Sequence, residues 1–163
     1  MNSIHKTVFI FLCLFFTTFS SHSRIIKEKV HQSNIKTVQI HKQEKPLTLP
    51  VIKLNSNEQV TLSFDDLDAG SATYSYKLIH CNANWEPSDL MEQEFISGQF
   101  TAEIQNYRSS FNTIIPYTHY KLNIPNQDMQ PILSGNYTIM VYQNYNQQDT
   151  VLTRRFRVTE NMV

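Results

Sequence analysis

The stretch Ser134-Gly135-Asn136-Tyr137-Thr138-Ile139-Met140-Val141-Tyr142 begins with a turn and continues as an alternating run of apolar side chains. Ser-Gly-Asn is typical of turns, because glycine and asparagine tolerate the backbone angles that tight turns need. Tyr137, Ile139 and Val141 then recur at every second residue, which places them on one face of a β-strand. The stretch therefore predicts a turn followed by a strand with one buried face.

The same period of two continues outward in both directions, from Ile35 to the C-terminal region. Turn residues separate the alternating runs, and the prolines flank the runs without interrupting them. Further runs are predicted as strands at residues 51–54, 60–64, 74–78, 120–124 and 151–158. No sustained helical period occurs, and only residues 88–95 are expected to hold a helical turn, with Ser88 as its N-cap. About seven short strands predict an all-β protein, an antiparallel β-sandwich of the immunoglobulin or fibronectin type.

Tyr137 supports this class of sandwich. Immunoglobulin-like domains often carry a tyrosine near the start of such a strand, and its hydroxyl bonds to the backbone a few residues upstream. We expect the hydroxyl of Tyr137 to make that bond.

The N-terminal residues have the three-part layout of a secretory signal peptide. Lys6 supplies a short positive region, residues 7–19 are almost wholly apolar, and serines at 20, 21 and 23 suit a cleavage site. The apolar run is shorter than the roughly 20 residues of a membrane-spanning helix, which favours a cleaved signal over an anchor. Cys13 lies inside this run and is expected to leave with it. The predicted organisation is a signal peptide at 1–23, a flexible leader at 24–34 and the sandwich domain at 35–160.

Length, charge and cysteine content exclude several classes of protein. About 140 residues remain after the signal, enough for one hydrophobic core and too few for two ordinary domains. The formal net charge is +0, and no basic stripe with interleaved aromatics is present, which argues against a nucleic-acid partner. Cys81 is then the only cysteine, so no internal disulfide can form, and burial as a small apolar residue is its expected role.

The residues also argue against an enzyme. Cys81 directly follows His80, and neighbours in a strand point to opposite faces, so the two cannot act as nucleophile and base. The acidic turn at 65–70 lacks the fifth-position acid and the closing glutamate of a calcium loop, which favours a solvated turn. His80 and His119 have no spacing typical of zinc ligands. We predict no catalytic residue, no cofactor, no metal and no small-molecule substrate.

Several longer runs carry a more specific signal, and they occur in a fixed order. The most distinctive is Leu78-Ile79-His80-Cys81-Asn82-Ala83-Asn84-Trp85-Glu86-Pro87-Ser88-Asp89-Leu90; the others lie at 35–39, 64–68, 116–120, 134–137 and 152–156. Together they resemble the N-terminal domain of the plug protein of the Bacteroidota type IX secretion system, over nearly all of 35–160. The resemblance implies a periplasmic, non-catalytic protein associated with the outer membrane. Its implied partner is a β-barrel translocon, on which it docks and whose pore it seals.

Members of that family continue well beyond this domain, whereas this sequence ends at Val163. We therefore expect a truncated product or an incomplete sequence. Complete sealing of a wide pore is in doubt for one sandwich, which is only tens of ångströms across.

The segment at 80–90 is the predicted contact region, because it holds the sole tryptophan and no basic residue occurs between Lys77 and Arg108. The alternative is that this loop only packs onto its own sandwich. The candidate partner contacts are His80, Asn82, Asn84, Trp85, Glu86 and Asp89.

A second class of function stays open, that of a generic extracellular recognition domain for glycans or adhesion. Its candidate aromatics are Trp85, Tyr117, Tyr142 and Tyr145, although aromatic residues of a sandwich more often belong to the core.

Overall fold

The structure is a computed structural model that describes residues 25–68, 70 and 72–160. The predicted signal peptide lies outside these residues. In chain order the elements are β1 (Lys29–Val30), β2 (Ile35–Lys42), β3 (Val51–Lys53), β4 (Val60–Asp66), β5 (Tyr74–Cys81), α1 (Glu92–Phe95), β6 (Ile96–Gly98), β7 (Ala102–Glu103), β8 (Tyr107–Ser109), β9 (Thr118–Ile124), β10 (Met129–Pro131), β11 (Gly135–Gln143) and β12 (Thr150–Thr159). Within the described part of the chain, no helix has the length and apolar character needed to cross a membrane.

Two sheets form the body of the domain. The first sheet has the order β1-β12-β11-β5-β7, and β3 adds to β12; the second has the order β2-β4-β9-β8. Only the β3–β12 pairing is parallel among those described. β6 and β10 form a small sheet of two strands. The prediction of an all-β, mainly antiparallel sandwich is confirmed.

Alternating side chains from both sheets meet in one core. Val60, Leu62 and Phe64 of β4 are fully buried, as the period of two predicted. The Phe64 ring stacks on Tyr120 of its own sheet at 5.1 Å between centroids and meets the edge of Tyr74 from the first sheet at 5.3 Å. Edge and stacked geometries are those that aromatic pairs prefer. This aromatic cluster therefore joins the two sheets near the start of β5.

The expected hydrogen bond of Tyr137 is present. Its hydroxyl donates to the carbonyl of Leu133, four residues upstream, at 2.7 Å. Burial raises the pKa of this phenol well above its usual range, with the bond to Leu133 opposing the shift. The tyrosine therefore stays a donor and fixes the turn before β11.

The helical turn lies within the predicted segment, but its N-cap differs. The helix begins at Glu92 after Met91, and the Met91 amide donates to Oε2 of Glu94 at 2.6 Å. Ser88 was expected to cap it. Its hydroxyl instead lies 2.8 Å from Nδ1 of His80. The tertiary contact with His80 therefore uses the hydroxyl that was expected to cap the helix.

The segment expected as a flexible leader is bound to the first sheet where the structure describes it. Lys29 and Val30 pair with β12, and the carbonyl of Lys27 accepts a bond from the Thr153 hydroxyl at 2.7 Å. The Glu28 carboxylate accepts from the backbone amide of Arg155 at 3.0 Å. Because the edge of β12 offers unpaired backbone groups, even a polar segment finds partners there.

We expect Gly98→Ala to lower the free energy of unfolding by about 2 kcal/mol. Gly98 has φ +100°, and a Cβ there would lie 2.3 Å from the carbonyl oxygen of Asp128 in the neighbouring strand connection. Backbone strain and a clash with backbone atoms therefore add. Urea unfolding measures the change.

Gly70→Ala is the matched control for Gly98→Ala. Gly70 also has a positive φ, +126°, but nothing lies within 4 Å of its added Cβ. Strain alone should cost about 1 kcal/mol. Equal losses of unfolding free energy in the two variants would show that the contact with Asp128 does not affect stability.

Candidate functional site

The loop after β5 is a tight structure organised by Asn82. Its side-chain oxygen accepts from the amides of Asn84 at 2.9 Å and Glu86 at 3.1 Å. Its backbone amide donates to the carbonyl of Glu86, and its own carbonyl accepts from Asn136 of β11. This use of a side-chain oxygen in place of a backbone carbonyl is the usual role of asparagine in turns. The loop is therefore held in one shape and fastened to the first sheet.

Trp85 lies against the outer face of that sheet. Its backbone is left-handed, with φ +65°, and the half-buried ring packs under the guanidinium of Arg155 at 4.4 Å and near that of Arg157 at 5.7 Å. Its carbonyl accepts from the amide of Ile26 at 2.9 Å, and Arg155 Nε donates to the carbonyl of Ile26 at 3.0 Å. An arginine over an indole is favourable, more so where water is excluded. Trp85 therefore ties the N-terminal segment, its own loop and β12 together.

His80 has a packing role. Its ring lies beside Phe95 at 5.6 Å and meets Tyr137 edge-on at 5.2 Å. Both ring nitrogens are within hydrogen-bond distance of protein oxygens, Nδ1 of Ser88 and Nε2 of Ser134. The structure thus directs the His80 side chain inward, away from the outer face that Trp85 covers.

The other candidate contacts are arranged differently. Asn82, Asn84 and Asp89 are exposed, while Glu86 is half-buried. All follow β5 at the end of the sandwich where β11 begins and β12 finishes, which we call the Cys81 end. The predicted six residues are therefore close in the fold, but only the exposed ones offer side chains to a partner without rearrangement.

A hollow lined by both apolar and charged residues adjoins Trp85, and no sequence pattern predicted it. This cavity of about 430 Å³ is lined by Trp85, Arg155 and Arg157 on one side and by Leu49 and Pro50 from the connection between β2 and β3 on the other. Leu47 and Leu49 of the same connection are largely exposed. Exposed leucines beside an aromatic hollow are typical of protein contact surfaces. We call Leu47, Leu49, Asn84 and Asp89 the Cys81-end surface.

A second exposed apolar group lies at the opposite end, which we call the Tyr74 end. Thr118 begins β9 there, and its hydroxyl donates to the carbonyl of Gly70. In the preceding loop Phe111 is 93% exposed, and Ile114 and Ile115 are exposed as well. This loop was not predicted as a site from the sequence. Its apolar residues do not alternate and lie among serine, asparagine and threonine, which is a pattern that could have indicated an exposed apolar loop.

The geometry also bears on the catalytic and metal alternatives. Cys81 is buried and its sulfur lies 3.5 Å from the Thr138 hydroxyl, on the opposite face from His80. Burial raises the pKa of this thiol, while the bond to Thr138 lowers it to a lesser degree, so the thiolate that a nucleophile needs is disfavoured. His119 pairs with Asp65 at 2.6 Å on the second sheet, far from His80. Among the described residues, no group of three or more His, Cys, Asp and Glu side chains is placed to hold a metal.

Comparison with known proteins identifies a family and a similar solved structure. The model of the family described as the type 9 secretion system plug protein 1st domain matches residues 35–160. The crystal structure of a hypothetical protein from Parabacteroides merdae has a TM-score of 0.78 and 34% identity, over 81% of this chain and 33% of that one. The chain thus spans about a third of that protein's length. None of the curated proteins matches the chain.

A weaker likeness, with a TM-score of 0.33 and 8% identity, is to the alkylpurine DNA glycosylase AlkC of Pseudomonas fluorescens, bound to DNA containing an abasic site analog. It covers 74% of this chain and 30% of that one, and it is too slight to bear on fold or function.

Proposed function

We propose that this chain is a non-catalytic docking module of a secretion machine, on the premise that it belongs to the family of the type 9 secretion system plug protein 1st domain. The match over residues 35–160 is the observation that carries the proposal, because it takes in the loop after β5 and every strand of both sheets except β1. Membership of this family supports a role in the type 9 secretion system.

The finer proposal is that the module works in the periplasm, reached by a cleaved signal peptide, and docks on an outer-membrane β-barrel translocon. Docking requires a rigid body and a complementary surface, and no reactive group. The hydrogen-bonded loop around Asn82 supports this, since loops held on a rigid scaffold bind with little loss of conformational entropy. We assign docking to this domain and not complete closure of the pore, because a single sandwich is a few tens of ångströms across.

We place the contact on the Cys81-end surface. Leu49 supplies exposed apolar area at the Trp85 hollow, and the exposed Leu47 lies in the same connection. Asn84 and Asp89 supply polar and acidic groups at the same end of the sandwich. An apolar centre with a polar rim is the usual anatomy of a protein interface. Trp85 supports this surface from beneath, through Arg155 and Ile26, and does not need to touch the partner itself.

The test is co-purification of the tagged protein with the outer-membrane barrel of the secretion system. We expect Asp89→Arg combined with Leu49→Arg to reduce capture of the barrel at least about tenfold, the loss that 1.4 kcal/mol of binding energy represents. Both side chains are exposed and have no partner among the described residues, so the fold should persist. Unchanged capture by this folded variant would remove the Cys81 end from the proposal.

The matched control reverses charge and adds arginine at the other end of the sandwich. Asp68→Arg combined with Phe111→Arg changes an exposed aspartate and an exposed apolar residue at the Tyr74 end. Capture of the barrel should stay at the wild-type level. If the control variant alone loses the barrel, docking occurs through the Tyr74 end, and if the unaltered protein captures no barrel, the docking function itself is wrong.

A further inference from the structure

A polar cavity lies on the outer face of the first sheet, away from the Cys81-end surface. Its volume is about 480 Å³, within the range of small-ligand sites. The strand β5 forms its floor, β7 one wall, and the hairpin between β11 and β12 another, near the Tyr74 end. None of the docking argument uses this part of the molecule.

Two tyrosines shape the cavity. Tyr142 of β11 is buried, and Tyr145 at the tip of the hairpin is 67% exposed. The Tyr145 backbone is left-handed, with φ +58°, which folds the hairpin tip back toward β7. Its hydroxyl donates to the carboxylate of Glu103 and so closes the hairpin over the wall. The exposed Tyr145 thus borders the cavity in a fixed position and offers an aromatic surface for a ligand to pack against.

The wall residues are mostly groups that both donate and accept hydrogen bonds. Three glutamine side chains line the cavity, together with hydroxyl groups and two carboxylates; the glutamines are Gln99, Gln105 and Gln147. A primary amide presents two N–H donors and a carbonyl acceptor, so Gln99 and Gln105 match a ligand hydroxyl in either direction. The Gln147 carbonyl already accepts from Lys77 at 2.7 Å, so Gln147 offers its N–H donors. A cationic ligand would use the carboxylates and leave the amide donors unmatched. The composition therefore favours a neutral ligand rich in hydroxyl groups.

Ser75 provides a second, independent observation. This residue of β5 lines the cavity and is only 2% exposed, and its Oγ has no hydrogen-bond partner among the described residues. An unpaired buried hydroxyl carries the desolvation penalty of its polar atom without the compensation of a hydrogen bond. Such a group stands out in a structure where buried polar groups are nearly always paired. A ligand hydroxyl entering the cavity would supply the missing partner.

We propose that this cavity binds a neutral saccharide, with a sugar ring packed on Tyr145, its hydroxyls bonded to the glutamine amides, and one hydroxyl reaching Ser75. The site is formed by a single chain and needs no metal. Trp85 and Tyr117, the other two aromatics considered for glycans, lie outside it. The proposal is independent of docking on a translocon, since it concerns a different surface.

Two-dimensional NMR titration of the protein with glucose, galactose, mannose and N-acetylglucosamine, each at millimolar concentration, tests the site. We expect at least one sugar to shift the amide signals of β7 and of the hairpin between β11 and β12. Tyr145→Ala should weaken that binding about tenfold, the upper range of one aromatic contact. Phe111→Ala, a change of a still more exposed aromatic that does not line the cavity, should leave the dissociation constant unaltered.

Ser75→Ala separates a binding role from a structural one. Removing an unpaired hydroxyl should leave the midpoint of urea unfolding unchanged or raised, while the sugar binds several-fold more weakly. A lysine-rich peptide serves as the opposing probe for the two carboxylates. The proposal is overturned if no sugar shifts the cavity signals, if the peptide binds there and the sugars do not, or if Tyr145→Ala and Ser75→Ala both bind the sugar as the wild type does.

Discussion

Phe64→Ala is expected to lower the free energy of unfolding by about 4 kcal/mol, a large part of the stability of a domain of this size. The Phe64 side chain is fully buried, and its ring contacts Tyr120 within the second sheet and Tyr74 in the first. Truncation removes the transfer free energy of the ring and leaves a cavity between two sheets that cannot close without moving a strand. Equilibrium unfolding in urea, followed by tyrosine and tryptophan fluorescence, measures the loss.

Phe111→Ala is the matched control, because it makes the same chemical change at a side chain that is 93% exposed. Its effect on unfolding should stay within about 0.5 kcal/mol, as for most surface substitutions. A loss at Phe111 comparable to that at Phe64 would mean that the loop before β9 packs against another part of the protein in solution. A small loss at Phe64 would mean that the aromatic cluster does not join the sheets as described.

The sequence was most informative where one rule decided the structure. The period of two predicted the long strands, because burial of one face is enough to set both their existence and their orientation. Phe156 and Val158 are buried in β12, while Arg155 and Arg157 reach Trp85 on the outer face. The hydroxyl of Tyr137 could be predicted for the same reason, since a local turn and a strand start fix its position.

The prediction of one buried face was incomplete for the first sheet. Thr138 is fully buried although it points away from the core, since the loop after β5 and the N-terminal segment cover the outer face. Both covering segments are polar and lack a period, so no local pattern indicates that they pack against the outer face of the sheet. The two-residue strand β7 could not be predicted for a related reason. Its pairing with β5 comes from the sheet edge and not from its own sequence.

The candidate contact loop shows the same division. The sole tryptophan of the chain and the position of the loop between strands could be recognised in the sequence, and they indicated a candidate contact region. Whether Trp85 would face a partner or its own sheet depended on Arg155 and Ile26, which are distant in sequence. The arginines of β12 alternate outward as predicted, but nothing in their spacing says that an indole would lie beneath them. The sequence therefore located the loop, and the tertiary structure decided which of its side chains are free.

The fastening of Trp85 has a consequence for mutagenesis of the docking surface. Trp85→Ala would remove the ring beneath the guanidinium of Arg155 and uncover part of β12, while the bond from the Ile26 amide to the backbone carbonyl at position 85 would remain. A loss of partner binding in that variant would therefore mix altered folding with altered contact. Leu49 and Asp89 avoid this ambiguity, because their side chains are exposed and bonded to nothing described.

Asp66→Ala is expected to lower the free energy of unfolding by about 3 kcal/mol. The Asp66 carboxylate is 2% exposed and accepts from the Tyr74 hydroxyl at 2.8 Å, the Asn34 amide at 2.7 Å and the backbone amide of Asp68 at 3.0 Å. Burial, followed by the bond to Asp66, raises the pKa of Tyr74 far above its usual range, so the phenol remains a donor. Loss of the carboxylate leaves this buried hydroxyl unpaired and removes the acceptor of the Asn34 side-chain amide, while the backbone bond from Leu67 to Asn34 remains.

Two variants separate this network from a general effect of removing charge. Asp65→Ala deletes the neighbouring carboxylate, whose pair with His119 is partly exposed, and should cost less than about 1 kcal/mol, as surface ion pairs do. Tyr74→Phe removes one donor but leaves Asp66 bonded to Asn34 and Asp68, and should cost about 1 kcal/mol. Urea midpoints should therefore fall in the order Asp65→Ala, Tyr74→Phe, Asp66→Ala, from the smallest loss to the largest. Equal losses for the two aspartates would contradict the assignment of Asp66 as the buried hub, because only burial and its three donors distinguish it from its neighbour.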